Sequence, residues 1–365
     1  MSIATLALLV RTILGGPGKP YKNLSTLPEL NESALELVVD LMEPPGNIAV
    51  SSDNRVFFNF HSEARPEKIK VAELKHGLVV PFPNEAAQKN LFDTVFSVRI
   101  DRQNRLWTLD HGLNGLRQAR LLAFDLTTNE IVHDYAFPAS IAGLGSFLND
   151  LQVDAKGEKI YLADTSVFAR KPAIIVYDVK NKQAKRVLEN HQSVSAEDLL
   201  IETAQGKMTF FGGLFALKPA LDSIVLDKND EWLYYGAMAG SRLYRIQTKN
   251  LNSLKSNAEI ENSVEDFSEK PQSDGLSIDM NGTIYLTAIE HGSIMSLDAN
   301  KKLVTLVQSK KIRWPDGLSF GNDGWLYLTD SALPDAMLRT KAHIQGSRPY
   351  QIYRIRLTNQ GIPGH

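Results

Sequence analysis

One phrase recurs six times along the chain, and this repetition constrains the fold more than any other feature. Each copy has a run of alternating apolar and polar residues, a turn containing Asp, Asn or Gly, and a second apolar run with an aromatic residue. Alternation with a period of two is typical of a β-strand, and the turn residues are those of tight hairpins. Each copy therefore predicts an antiparallel β-hairpin. The copies begin at Asn47, Phe96, Asn149, Asp222, Asp274 and Asp316.

Further apolar runs follow most of the hairpins, so each repeating unit is predicted to form a sheet of roughly four strands. Six such sheets around one axis form a β-propeller. The last unit supplies three strands, and the stretch ALELVVDL at 34–41 supplies a fourth that would close the ring. The sequence thus predicts an all-β fold: a six-bladed β-propeller with four-stranded antiparallel blades, closed by an N-terminal strand. Two stacked sandwiches are the alternative.

Composition narrows the classes of partner and chemistry. The 365 residues include no cysteine, which excludes disulfides, thiol catalysis and zinc–cysteine sites, and the formal net charge is −2. Because there is no basic excess, we expect neither a nucleic acid nor a membrane as partner. We expect one propeller domain over 34–358, an N-terminal extension or signal segment over 1–33, and a tail over 359–365. The apolar run Leu6–Val10, followed by Arg11, fits either an unusual signal segment or a short packed helix.

The start of each first strand is the predicted location of the site. In a propeller the innermost strands line the central channel, so equivalent positions of the six copies should converge near the axis. Carboxylate and amide oxygens are the ligands that Ca²⁺ and Mg²⁺ prefer. We therefore predict one divalent cation on the propeller axis, held by Asn149, Asp222, Asp274 and Asp316.

Other polar residues are predicted at the same rim, next to these positions or at the ends of the second strands. The structural alternative is that an Asp at a strand end only accepts hydrogen bonds from backbone amides. A His after a strand is likewise more often structural than functional. The residues predicted to bind a small-molecule ligand are Ser97, Asp110, His111, Asp150, Glu290, His291 and Asp330.

Several stretches resemble the yellow/major royal jelly protein family, in the form of a compact bacterial-type member. They are FDLTTNEIVHDYAFP at 124–138, SFLNDLQVD at 146–154 and DSIVLDKNDEWLYYGAMAGSRLYRIQT at 222–248. The resemblance implies a six-bladed propeller and export to the periplasm or cell exterior, with a cytoplasmic location as the alternative. It implies no single activity, because members are linked to pigment pathways, to binding of small amines and to nutritive or structural roles.

A more distant resemblance is to the gluconolactonase/senescence-marker propellers. Those proteins hold a divalent metal through Glu of the first blade, Asn of the third and fourth, and Asp of the fifth. Asn149 and Asp274 match two of these positions, whereas Asp222 stands where the fourth-blade Asn would be and Gly46 where the Glu would be. The missing Glu weakens the lactonase interpretation.

Four functions stay open at this point, and whether the protein is an enzyme is one of the open questions. The first is metal-dependent lactone or ester hydrolysis in the channel, with Asp274 as the catalytic base. The second is non-catalytic binding of a small molecule at the same rim. The third is a dopachrome-tautomerase-like activity with His111 or His291 as base. The fourth is a scaffold for protein interactions, since a propeller can serve any of these functions.

Overall fold

The computed structural model describes residues 16–253 and 255–365. Within them, six four-stranded antiparallel sheets stand around one axis, which confirms the predicted six-bladed β-propeller. The first strands of neighbouring blades contact one another around the ring, so they line the channel. The apolar run Leu6–Val10, on which the expectation of a signal segment depends, lies outside the described residues.

In blades 1 to 5 the strands follow chain order from the innermost to the outermost. Blade 1 comprises Pro45–Val50, Val56–Phe60, Val71–Lys75 and Leu78–Pro81. Blade 2 comprises Val95–Ile100, Arg105–Asp110, Arg120–Asp125 and Ile131–Ala136. Blade 3 comprises Leu148–Val153, Lys159–Asp164, Ala173–Asp178 and Gln183–Val187. Blade 4 comprises Leu221–Leu226, Trp232–Ala237, Arg242–Gln247 and Glu265–Glu269. Blade 5 comprises Leu276–Ile278, Ile284–Ala288, Ser293–Leu297 and Leu303–Gln308.

Blade 6 closes the ring with strands from both ends of the propeller. Its inner strands are Pro315–Phe320, Trp325–Asp330 and Tyr350–Arg356, and its outermost strand is Leu35–Leu41. Leu35 lies opposite Ile355 and Leu41 opposite Tyr350, in antiparallel register. The predicted closing strand is therefore confirmed, and it covers the edge that the last blade would otherwise expose.

The remaining elements are short and lie in the loops. The α-helices are Glu85–Asn90, Gly112–Gly115, Thr248–Leu251, Asn257–Glu261 and Lys341–Gly346. The 3₁₀ helices are Glu32–Ala34, Ser62–Ala64, Phe211–Gly213, Asn322–Gly324 and Leu333–Asp335. Short strand pairs join Lys19–Pro20 to Leu199–Leu200, Glu202–Thr203 to Gly206–Lys207, and Thr209–Phe210 to Phe215–Ala216.

Apolar side chains from facing sheets of neighbouring blades form the core. Between blades 2 and 3, for example, Trp107 and Tyr177 are fully buried among Leu, Ile and Ala side chains. The Nε1–H of Trp107 donates to Asp101 Oδ2 at 2.7 Å, which satisfies the one polar group of this large side chain. The aromatic residue of the repeated phrase therefore serves blade packing.

The C-terminal residues cross the channel at one face of the propeller. This face carries the turns that join the first and second strands of each blade. The carbonyl oxygen of His365 accepts hydrogen bonds from Phe320 N at 2.7 Å and from Ser277 Oγ at 3.0 Å. The carbonyl of Gly364 accepts from Ile100 N, and Asn359 Nδ2 donates to Asp279 Oδ2. This segment, residues 359–365, ties blades 2, 5 and 6 together below the site. We call the opposite face, where the inner strands begin, the mouth face.

Candidate functional site

Irregularities in the inner strands set the direction of the axial side chains. In blades 3, 4 and 6 the strand pairing shifts at Asn149–Asp150, at Asp222–Ser223 and at Asp316–Gly317. Blade 1 shifts at the same level, between Pro45 and Ile48. A β-bulge places two residues opposite one and re-aims a side chain. The bulges therefore allow these strands to present polar residues to the channel while their apolar alternation continues below.

Hydroxyl and amide side chains of the second strands hold these irregular backbones in place. Thr287 Oγ1 accepts from the amides of Asp274 and Gly275, at 3.0 and 2.8 Å. Thr329 Oγ1 likewise accepts from Gly317 N at 2.8 Å, and Asn59 Oδ1 accepts from Asn47 N at 2.9 Å. Buried amide groups without a partner would be costly, so these side chains stabilise the bulged geometry.

The Gly after Asp274 has a steric role. A Cβ on Gly275 would lie 2.0 Å from the carbonyl oxygen of Asp316 in the next blade. The glycine thus lets the inner strands of blades 5 and 6 approach closely, which brings their two carboxylates to one cavity.

The axial residues enclose a small polar cavity. Its free volume is about 10 Å³, roughly the space that one water molecule or one ion requires. The polar side chains at its wall include Asn47, Asn149, Asp150, Asp222, Asp274 and Asp316. The structure thus brings together all four residues predicted as cation ligands.

Three of the carboxylates, those of Asp222, Asp274 and Asp316, lie together in this buried cavity. Burial, together with the neighbouring carboxylates of Asp274 and Asp316, raises the pKa of Asp222 well above its usual range. Burial and Asp274 do the same for Asp316. Burial raises the pKa of Asp274 to about 6, while hydrogen bonds from Trp314 and Asp222 counteract part of that rise. The cluster therefore retains protons near neutral pH, and Asp222 shares one of them with Asp274.

Asp150 stands apart from this trio because its charge has partners. Its Oδ1 accepts from Ser97 Oγ at 3.0 Å, from Arg99 Nη2 at 3.1 Å and from its neighbour's amide, Leu151 N, at 2.8 Å. Arg99 is almost fully buried and also lines the cavity. The predicted ligand-binding residues Ser97 and Asp150 thus belong to one network that anchors Arg99.

Two acceptor atoms near the trio have no hydrogen-bond partner in the described part of the chain. They are Asp316 Oδ2 and Asn47 Oδ1, and both are buried. His61 Nε2 lies 3.8 Å from Asp316 Oδ2, beyond hydrogen-bond length. Unpaired buried acceptors beside excess carboxylates form a donor set that suits a hard cation. Nevertheless, no group of three or more His, Cys, Asp or Glu in residues 16–253 and 255–365 is already arranged as a coordination set.

Two buried histidines and two half-buried phenylalanines form one wall next to the axial cavity. The ring of Phe96 lies 5.0 Å from that of His61, 5.7 Å from that of His111 and 4.7 Å from that of Phe147. Nδ1 of His61 accepts from Glu63 N, and Nδ1 of His111 accepts from Asn114 N. Burial lowers the histidine pKa values, to about 4 for His61 and about 3 for His111. Both rings are therefore neutral at pH 7 and carry their proton on Nε2.

The predicted residues at the second-strand ends have other partners. Asp110 accepts from the amides of Asp93, Thr94 and Gly112. Asp330 accepts from Trp314 N at 2.7 Å and pairs with Arg313 Nε at 3.0 Å. Glu290 accepts from Glu202 N, and the carbonyl oxygen of His291 accepts from Gln308 Nε2. These four residues are not among those that line the axial cavity, so their role in ligand binding stays a prediction.

The lactonase-type Glu has no counterpart here, and there is little space for one. A Cβ on Gly46 would lie 2.7 Å from Asn59 Nδ2, the side chain that holds the bulge of blade 1. The next residue, Asn47, lines the cavity instead. Blade 1 thus contributes an amide to the cavity, where the resemblance to the gluconolactonase-type propellers would imply a carboxylate.

Sequence reasoning missed several contributors to the site, among them His61, Arg99 and Trp314. Arg99 lies two residues beyond Ser97, on a level where the other first strands carry small, apolar or amide side chains. His61 follows the second strand of blade 1 just as His111 follows that of blade 2, so the same alignment contained the signal. Trp314 precedes its repeat and was not included in any copy.

The long insert between blades 3 and 4 covers part of the mouth face. Ile201, Met208 and Leu217 from this insert pack with Trp314 and Leu333 in one buried apolar cluster. Because the indole of Trp314 also contacts Asp274, this cluster lies directly beside the axial site.

Among the described residues, no helix has the length and apolar character needed to cross a bilayer.

Solved structures share the fold. A gluconolactonase from Xanthomonas campestris superimposes with a TM-score of 0.56 at 12% identity, covering 88% of each chain. The calcium-binding protein regucalcin from Agrobacterium tumefaciens gives a TM-score of 0.55 at 13% identity, covering 89% of this chain and 95% of that one. At these identities the similarity establishes the propeller architecture alone.

The family assignment rests on a family profile and is accompanied by similarity to individual relatives. Major royal jelly protein 3 of Apis mellifera is 24% identical over 260 residues, 65% of this chain and 45% of that protein. Yellow-related salivary protein M10 of Phlebotomus duboscqi is 28% identical over 180 residues, 44% of each chain. The aligned segments thus span less than half the length of these two relatives. The profile of the Major royal jelly protein family matches residues 93–343, more than half of the chain, and the chain therefore belongs to that family.

Proposed function

We propose that the protein binds one divalent cation, Ca²⁺ or Mg²⁺, on the propeller axis, and a small polar molecule beside it. The observation that carries this proposal is the buried trio Asp222, Asp274 and Asp316, whose pKa values are all raised. A cation offsets the repulsion among like charges that otherwise keeps these groups protonated.

The chain supplies oxygen donors for this cation from four blades. Asp222, Asp274 and Asp316 would provide carboxylates, and Asn149, whose Nδ2 donates to Thr165 Oγ1 at 3.3 Å, would provide its carbonyl oxygen. Entry of the ion requires the proton between Asp222 and Asp274 to leave, so binding should be coupled to proton release.

The organic ligand would lie toward the mouth face, against the wall formed by His61, Phe96, His111 and Phe147. Neutral histidines offer Nε2–H groups as donors, and Nε2 of His111 has no partner within the described residues. A ligand with a polar acceptor and an apolar body fits this combination. The axial cavity itself has room for little more than an ion, so a larger ligand requires movement of the covering insert.

Hydrolysis of a lactone or ester is the second candidate, favoured by the pKa of about 6 at Asp274. A general base works best when its pKa lies near the working pH, and a pKa of about 6 is closer to neutrality than that of an ordinary Asp. A bound cation would polarise the scissile carbonyl. The absence of a carboxylate at Gly46 argues against a gluconolactonase-type donor set. A tautomerase role for His111 has little support, because a pKa of about 3 makes a weak base.

Export is proposed on the names of the relatives, which refer to royal jelly and to saliva. A periplasmic or extracellular protein meets millimolar Ca²⁺ more often than a cytoplasmic one, so a modest affinity for Ca²⁺ would suffice there.

The test is thermal melting of chelator-stripped protein with and without Ca²⁺ or Mg²⁺. A ligand that binds only the folded state raises the melting temperature by mass action. We expect a rise that saturates with concentration, with one ion bound per chain by calorimetry. The absence of a shift with either ion would overturn the cation site and leave ligand binding without a metal.

A further inference from the structure

Three loops of blades 2 and 3 carry an apolar patch on the mouth face. The loops span residues 111–119, 137–147 and 165–172, and we call their exposed surface the mouth-face patch. Its apolar side chains protrude strongly: Leu116 is 69% exposed, Leu144 73% and Phe168 70%. A large apolar side chain usually gains about 1.5–3 kcal/mol from full burial, so three such neighbours in water indicate an interaction surface.

The three loops are locked together, so the patch is a built surface. Gly145 N donates to Asn114 O at 2.9 Å, and Ala169 N donates to Gly145 O at 3.0 Å. The backbones touch closely, since a Cβ on Gly115 would lie 3.1 Å from Leu144 Cα. Each exposed apolar residue is therefore adjacent in sequence to a residue that joins the loops. Leu116 follows Gly115, Leu144 precedes Gly145 and Phe168 precedes Ala169.

Backbone conformation holds these loops in place at a cost. Leu113 has φ 52° and ψ 53°, and the next residue, Asn114, has φ 58° and ψ 40°. A bulky residue in the left-handed region is unfavourable, and such outliers concentrate at functional surfaces. Leu113 is also 43% exposed, so this conformation adds a further apolar side chain to the surface.

The charge of the patch has one sign. Across residues 111–119, 137–147 and 165–172 the sequence has three basic residues and no Asp or Glu. The basic residues are Arg117, Arg170 and Lys171, all exposed. Arg117 pairs with Asp93, which lies outside the three loops. Apolar tips surrounded by cations fit a surface that is apolar inside and anionic outside, which describes the interface of an anionic bilayer.

We propose that the mouth-face patch docks the propeller on an anionic lipid surface. Phe168, Leu144 and Leu116 enter the headgroup region, and Arg117, Arg170 and Lys171 lie at the level of the lipid phosphates. The channel mouth then faces the bilayer. The overall charge of −2 predicts no membrane partner. A net charge summed over the whole chain does not reveal that three loops lack acidic residues, so it does not describe this patch. This proposal is independent of the axial cation.

The experiment is co-sedimentation of the full chain with vesicles of phosphatidylcholine containing about one third phosphatidylglycerol, and with phosphatidylcholine alone. We expect binding to the anionic vesicles that weakens with salt. The double variant Leu144→Ser/Phe168→Ser should lower the partition coefficient roughly tenfold. Lys171→Glu should lower it severalfold on anionic vesicles only.

The matched control is Leu78→Ser, since Leu78 is 69% exposed on the opposite face, where it begins the fourth strand of blade 1. It should bind as wild type does. All the substituted side chains are exposed, so each variant should fold, and circular dichroism checks this. Wild-type protein that stays in the supernatant, or a control that loses as much binding as the double variant, overturns the proposal. A patch that captures an acidic protein while ignoring vesicles overturns it as well.

Discussion

The indole Nε1–H of Trp314 donates a hydrogen bond of 2.6 Å to Oδ2 of Asp274, across the boundary between blades 5 and 6. Trp314 is fully buried, and the same side chain packs under the insert that covers the mouth face. One carboxylate oxygen of Asp274 is thereby fixed. The orientation of this axial group thus depends on how the insert packs.

Asp274→Asn should weaken cation binding strongly, with little loss of stability. The carboxamide keeps an oxygen that accepts from Trp314, whereas Ala would leave a buried indole N–H without a partner. We expect the affinity for Ca²⁺ to fall at least roughly tenfold by isothermal titration calorimetry, since one carboxylate of the donor set is lost. Asp154→Asn, in a hairpin turn, is the control and should bind as wild type does. Wild-type affinity in Asp274→Asn would disprove the assignment.

Asp222→Asn should stabilise the protein when no cation is present. At pH 8 each group of the trio must either ionise against burial and repulsion or keep a proton that the unfolded chain would release, and a neutral amide removes part of that cost. One unit of pKa corresponds to about 1.4 kcal/mol, so we expect a gain on the order of 1–2 kcal/mol, or a few degrees in melting temperature. Calorimetry in the presence of chelator measures it. The variant should also lose the rise with Ca²⁺; a lower melting temperature than wild type would contradict the electrostatic argument.

The stability of the cation-free protein should depend on pH in two opposite ways. Folding raises the pKa of Asp222, Asp274 and Asp316, so their contribution to stability is full only below the ordinary Asp pKa of about 4 and is lost as pH rises from there through the folded values, about 6 for Asp274. Folding lowers the pKa of His61 and His111, so stability falls as pH drops below 6.5 toward 4. Between pH 4 and 6.5 the two effects oppose each other, whereas above pH 6.5 only the carboxylates act, so we expect the melting temperature to fall between pH 6.5 and 9.

Above pH 6.5 the histidines are neutral in both the folded and unfolded states, so the decline on that side belongs to the carboxylates. Saturating Ca²⁺ should flatten this decline and leave the acid side unchanged. A decline that persists with Ca²⁺ would show that other groups cause it.

Gly275→Ala should destabilise the propeller by about 3 kcal/mol, because the new methyl group would have to displace the backbone carbonyl of Asp316. Urea denaturation measures the change. Gly346→Ala is the matched control: a Cβ there meets nothing within 4 Å, and the residue lies in a helix, where Ala is preferred by about 1 kcal/mol. Equal effects at both positions would contradict the close approach of the two inner strands.

Local patterns in the sequence were sufficient to predict most of the fold. The two inner strands of every blade were predictable because strand alternation and turn chemistry act over a few residues. The alignment also placed Asn149, Asp222, Asp274 and Asp316 at one level, because a propeller converts equivalent repeat positions into a ring. Trp314 and the insert could not be predicted in this way, since their positions depend on packing between distant segments. The role of Asp110 and Asp330 as acceptors for loop amides was the structural alternative, and position alone could not decide between the two.

The closing strand Leu35–Leu41 has a consequence for biosynthesis. Its partner Tyr350–Arg356 is synthesised more than three hundred residues after it. Blades 1 to 5 pair strands that are adjacent in the chain and can form as they emerge, whereas blade 6 must wait. Until Tyr350–Arg356 has been synthesised, the strand Leu35–Leu41 is without its partner on the nascent chain. Binding by chaperones, or faulty pairing between two nascent chains, should therefore centre on this segment.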